Sequence, residues 1–127
     1  MTALVLLPIF YNADDEGNLA PVEDDKFLAT AEEVAREFGG GALHVFRDGR
    51  VRGFWWDQGV LDRDDLAVLE VDIPDRADKR EWLKTYARDV LVKRFRQRAI
   101  YLKFIGPVET WVIQAEEMPN EEVSDGA

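Results

Sequence analysis

Cysteine is absent from this chain, and histidine and serine occur once each, as His44 and Ser124. Without thiols there are no disulfides, thiolate nucleophiles, thiol-ligated metals or iron–sulfur clusters, and a reducing cytoplasm is the compartment such a composition suits. One histidine cannot make a histidine pair or a His-rich metal site. The lone serine lies in an acidic tail, and Thr2, Thr30, Thr85 and Thr110 have no motif around them, so serine-hydrolase chemistry is not expected. Long hydrophobic runs are missing too. The longest, "ALVLLPIF" at 3–10, falls far short of the roughly 20 residues of a bilayer span. It has no basic region before it and no small-residue cleavage site after it, so no signal peptide is expected.

Basic residues are also scarce, 16 against 26 acidic ones, for a net charge of −10. A chain this acidic repels phosphate backbones, so direct nucleic-acid binding is disfavoured. Acidic groups crowd residues 14–17, 23–25, 62–65 and 116–125, whereas bases gather late, at Lys93, Arg94, Arg96, Arg98 and Lys103. The first pattern fits a basic partner. Arg94, Arg96 and Arg98 are candidates for contact with an anion.

Apolar residues make up 46% of the chain and charged residues 33%, a globular balance sufficient for one two-layered domain over 1–115. Residues 116–127 read as a flexible acidic tail. "TALVLLPIF" reads as a buried strand limited by Pro8. Phe27, Ala31, Val34, Ala35 and Phe38 recur at helical spacing, predicting a helix over 24–38 capped by Asp24 or Asp25 and stopped by Gly39. Two β-rich runs flank Asp48-Gly49, which predicts a hairpin joining 42–47 to 50–56. A strand follows at 66–73. A second helix is expected at about 76–96, capped by Asp75, with Trp82, Leu83, Tyr86, Val90, Leu91 and Phe95 along its apolar stripe. Residues 99–105 form a last core strand, and 109–115 are a candidate for a further one. The order β-α-β-β-β-α-β predicts a ferredoxin-like α+β sandwich, an antiparallel or mixed sheet with both helices on one face and Phe27, Phe38, Trp82 and Phe95 anchoring the core.

Three adjacent aromatics, Phe54, Trp55 and Trp56, cannot all enter one core, because successive strand residues face opposite ways. Pairing across an Asp48-Gly49 turn groups Leu43, Val45, Arg52, Phe54 and Trp56 on the core face. It puts His44, Phe46, Val51, Gly53 and Trp55 on the helix-free face. That second face, with Trp111 and the acidic Asp57, Asp62 and Asp64, is the expected partner-binding surface. Covering by Trp111 of the same chain or by a dimer mate is the plain structural explanation for an outward Trp55.

Other chemistry is weakly represented. "FGGGAL" at 38–43 follows a helix and enters a strand, the reverse of a phosphate-binding loop. Asp57, Asp62, Asp64 and Asp65 fall in one connection, but their spacing is not that of a calcium loop. "KRFRQRAIYLKF" at 93–104 mixes bases with aromatics, yet reads as a helix end feeding a core strand. No metal or cofactor is expected.

The segments "EFGGGAL", "RGFWWDQGVLDRDDLAVLEVDIPD" and "VLVKRFRQRAIYLKF", spanning roughly residues 37–104, resemble those of a diffuse set of small bacterial and phage-associated proteins of unknown function. The resemblance implies the same α+β arrangement, with Phe95, Gln97 and Ile100 placing the second helix against the last strand. It implies no activity. The sequence therefore points to a cytoplasmic, acidic, non-enzymatic interaction protein that self-associates as a homodimer. An inhibitor or antitoxin-like role against a basic nucleic-acid-handling protein fits this charge. The alternative is a small enzyme or ligand-binding domain with a pocket near the 57–65 turn, using Asp57, Arg52, His44 and Trp55.

Overall fold

The computed structural model of the chain describes residues 1–46 and 51–115, without the side chains of Trp55, Asp57, Val60, Asp62 and Arg63. The chain runs β1 (Thr2–Pro8), α1 (Asp24–Phe38), β2 (Gly41–His44), β3 (Arg52–Asp57), β4 (Val60–Asp72), a second helical run and β5 (Tyr101–Ile105). That run comprises α2 (Ala77–Tyr86), a π-helical turn (Ala87–Leu91) and a last α-helical turn (Val92–Arg94). The sheet order is β2-β4-β1-β5, with β3 also paired to β4 and every pairing antiparallel. If β2 and β3 are taken as two halves of one interrupted strand, this is the ferredoxin-like α+β sandwich that the sequence predicted.

The sheet alternates cleanly. Ala3, Val5 and Leu7 of β1 pair with Val71, Leu69 and Ala67 of β4, and all six are buried. They meet Phe27 and Val34 of α1, Leu83 and Leu91 of the second helical run and Phe95 just past its end in one core. Phe27 and Phe95 sit at its centre, ring centroids 5.4 Å apart, and burying each ring contributes about 1.5–3 kcal/mol. Phe38 and Trp82 pack against the core from its margin, edge to face at 5.3 Å.

Neither helix is capped by the residue expected. Glu23 and Arg76 hold the N-cap positions, neither with a side-chain cap bond. Asp24 and Asp25 lie inside the first turn, where their charge favours the positive end of the helix dipole. Asp75 is drawn instead to Arg80, with which it forms an ion pair. Gly39 ends α1 in the left-handed conformation, as its position predicted.

The expected Asp48-Gly49 hairpin is corrected. Residues 47–50 lie outside the described residues, but the strands on either side do not pair with each other. Leu43 and His44 pair with Leu69 and Val68, whereas Arg52 and Gly53 pair with Asp65 and Asp64. The true hairpin joins β3 to β4 through Gln58 and Gly59, both at positive φ, 51° and 83°. That is the two-residue turn whose twist suits antiparallel strands. Residues 109–115 form no strand, which corrects the expectation of a further one. No helix among the described residues is long and apolar enough to cross a membrane.

Candidate functional site

Strand β4 is 13 residues long, roughly 40 Å at 3.3 Å per residue. Its second half, Leu66–Asp72, pairs with β1, but residues 60–65 pair with β3. The first half and β3 therefore form a two-stranded arm extending past the sheet's other strands. At its base Leu66 N–H donates to Val51 O at 2.8 Å, and Ile9 N–H donates to Asp65 O at 3.1 Å.

Strand register puts Arg52, Phe54 and Trp56 on one face of the arm, across from Asp65, Arg63 and Leu61. Arg52 Nε lies 3.3 Å from Asp65 Oδ1, closing the base with an ion pair. Farther out, Phe54 is 59% exposed and Trp56 77% exposed, with Leu61, also exposed, directly opposite Trp56. Phe54 and Trp56 were expected in the core. They are not, because their strand continues beyond the sheet area that the helices cover. Val45 and Leu43, expected beside them, do pack against the core.

Gly53, Trp55 and Asp57 occupy the alternate register positions, across from Asp64, Asp62 and Val60. The side chains of Trp55, Asp57 and Asp62 are outside the described residues, and so is the expectation that the Trp55 indole points away from the helices. Asp64 is exposed.

The helix-free face of the sheet is the second candidate surface. His44 reaches it from β2 and is exposed, as expected. Phe46 lies past the end of β2, half-buried, rather than beside His44 on a strand. Cross-strand register then defines two rows on this face. His44, Val68, Leu6 and Tyr101 make one; Ala42, Glu70, Leu4 and Lys103 make the next. Asp72, Thr2 and Ile105 border it, and Thr110 Oγ1 donates to Asp72 Oδ1 at 3.4 Å. The following residues, Trp111 at 72% exposure with Val112 and Ile113, present their apolar side chains to solvent.

The three late arginines separate. Arg94 donates through Nη2 to both carboxylate oxygens of Glu33 at 3.0 and 2.8 Å, and through Nη1 to Thr30 Oγ1 at 2.9 Å. Tyr86 OH donates to Glu33 Oε1 at 2.8 Å, completing a bridge between α1 and the second helical run. Burial pushes Glu33 up, but the bonds from Arg94 and Tyr86 outweigh it and hold the carboxyl below its ordinary 4.5. Burial, then the bond to Glu33, pushes the Tyr86 phenol up to about 12. Arg94 is thus spent on an internal carboxylate. Arg96 lies over the Tyr11 ring, 4.6 Å from its centroid, a cation–π contact on the loop after β1. Arg98 is exposed.

A shallow pocket of about 280 Å³ opens where the loop after β1 meets the arm, lined by Phe10, Tyr11, Asn12, Asp64, Asp65 and Gln97 among others. No group of three or more acidic or histidine side chains among the described residues is arranged to hold a metal ion. No known protein family, curated protein or solved structure matches the chain.

Sequence reasoning missed Leu61, Leu4, Leu6, Tyr101 and Ile105. A signal for the arm was present: Gln58-Gly59 stands midway between two runs that can pair, Arg52–Asp57 and Val60–Asp65. The charges of Asp62, Arg63, Asp64 and Asp65 masked it, because they read as a loop.

Proposed function

We propose that this protein acts by binding another protein through its β3–β4 arm, as an acidic inhibitor or antitoxin-like module rather than as a catalyst. The observation that carries this reading is the exposure of Trp56 beside Leu61, with Phe54 on the same face. Large aromatics held outward on a strand ribbon are the residues that dominate binding energy at protein interfaces. Ordering such a preformed ribbon against a partner costs less entropy than ordering a loose loop.

The charge of the chain selects the partner's chemistry. A net charge of −10, with acidic residues concentrated at 62–65 on the arm itself, favours a basic partner and speeds its approach. A protein whose own site binds nucleic acid has that basic surface, and an apolar cleft within it would receive Trp56. The test is capture from host lysate by the full chain. A basic protein retained at low salt, released at high salt and lost with Trp56→Ala supports the reading. Retention unchanged in Trp56→Ala and Phe54→Ser sinks it.

A second reading rests on the pocket beside Asp64 and Asp65. Its volume is just under the range of small-molecule sites, and two carboxylates line it, Asp64 and the Asp65 that pairs with Arg52. Heat-shift screening against metals, nucleotides and sugars tests it. A stabilising ligand whose effect vanishes in Asp64→Asn favours this reading over the first.

A further inference from the structure

Strand β1 is apolar on both faces. Ala3, Val5 and Leu7 enter the core, while Leu4 and Leu6 point to the side that carries no helix. Strands wet on one side alternate apolar with polar; a strand apolar on both sides is characteristic of a sheet covered on both sides. Val68 of β4 and Tyr101 and Ile105 of β5 extend the apolar area around Leu4 and Leu6. Something is expected to cover this surface, and its charges indicate what.

Leu4 sits between two opposite charges, Glu70 on one neighbouring strand and Lys103 on the other. Both are exposed, and neither has an ion-pair partner among the described residues. We propose that the helix-free face binds the same face of a second copy, through a two-fold axis lying along β1. Such an axis stacks β1 on β1 and exchanges β4 with β5. Leu4 then meets Leu4 of the second copy and Leu6 meets Leu6. Val68 meets Tyr101, and Glu70 meets Lys103 twice, once on each side. The alternative face-to-face two-fold, perpendicular to the strands through Leu4, stacks Glu70 on Glu70 and Lys103 on Lys103. Like charges brought together cost several kcal/mol, so the pattern selects the first axis. Sheets stacked this way lie about 10 Å apart, a gap that leucine side chains fill and glutamate and lysine span.

The dimer leaves the β3–β4 arm outside the interface, so a pair of copies presents two arms. Self-association and partner capture by the arm therefore fail independently.

Sedimentation velocity of the full chain across a concentration series tests this, with circular dichroism confirming that each variant is folded. The expected result is a monomer–dimer equilibrium in the parent chain. Lys103→Glu and Glu70→Lys each weaken it by about tenfold or more, and combining them restores it. A parent chain that stays monomeric at the highest concentration overturns the proposal. So does a dimer indifferent to either charge reversal, or a double reversal that fails to recover association. Trp56→Ala should leave the equilibrium unchanged; dimer loss in that variant places the contact on the arm and also overturns it.

Discussion

Arg94 clasps Glu33 by both carboxylate oxygens, at 3.0 and 2.8 Å, from the last turn of the second helical run to the middle of α1. This joins the two helices near Tyr86, whose ring stacks on Trp82 at 5.0 Å.

The pair makes stability depend on pH. Because the carboxyl of Glu33 is held below 4.5 in the folded state, its contribution is fully present above the unfolded value and is lost as pH falls through the folded one. Glu33→Gln should lower stability at neutral pH by about 2 kcal/mol, less than a fully buried pair would cost because Glu33 is partly exposed. It should also flatten the fall in stability on acidification from about pH 5 downward. Urea titrations at several pH values measure both effects.

Gly41 begins β2 with its backbone against β4. A methyl group there would lie 2.4 Å from the carbonyl oxygen of Glu70, and backbone cannot swing aside. Gly41→Ala should therefore push β2 off the sheet edge and destabilise the chain by about 2–4 kcal/mol. A drop in melting temperature of roughly 10 °C is the expected reading.

Gln58 adopts φ 51° at the tip of the arm, a conformation that costs a residue with a β-carbon. Gln58→Asn keeps the turn and suits this conformation better. It should slow hydrogen exchange of the arm amides by about threefold, from a gain of about 0.5–1 kcal/mol. Faster exchange would refute the assigned turn.

Trp56→Ala should leave the fold intact, since the side chain is 77% exposed. A change in unfolding free energy within about 0.5 kcal/mol is expected. A loss of several kcal/mol would mean that the ring is packed in solution.

The helices were legible because each buries one stripe, and Phe27, Val34, Leu83 and Leu91 recur at the period of that stripe. The second half of β4 was legible for the same reason, with Ala67, Leu69 and Val71 on the inner face. Its first half was not. Leu61 and Asp64 are exposed there, so burial imposes no alternation, and the charges of residues 62–65 read as a connection. Asp48-Gly49 then drew the hairpin assignment, although Gln58-Gly59 makes the turn. The split of the second strand into β2 and β3 hides from local pattern because each piece is registered against β4, which comes later in the chain. Of the candidate site, His44 was placed on the correct face of the sheet. The arm's apolar tip was assigned to the core because the reach of the helices cannot be read from strand periodicity.

One continuous β4 serves both as an inner rail of the body and as one side of the projecting arm. Load applied at Leu61 therefore travels along covalent backbone into the stretch from Leu66 to Asp72, with no hinge residue in between. Whatever grips the tip also stiffens the centre, so an engaged molecule should resist mechanical extension better than an idle one.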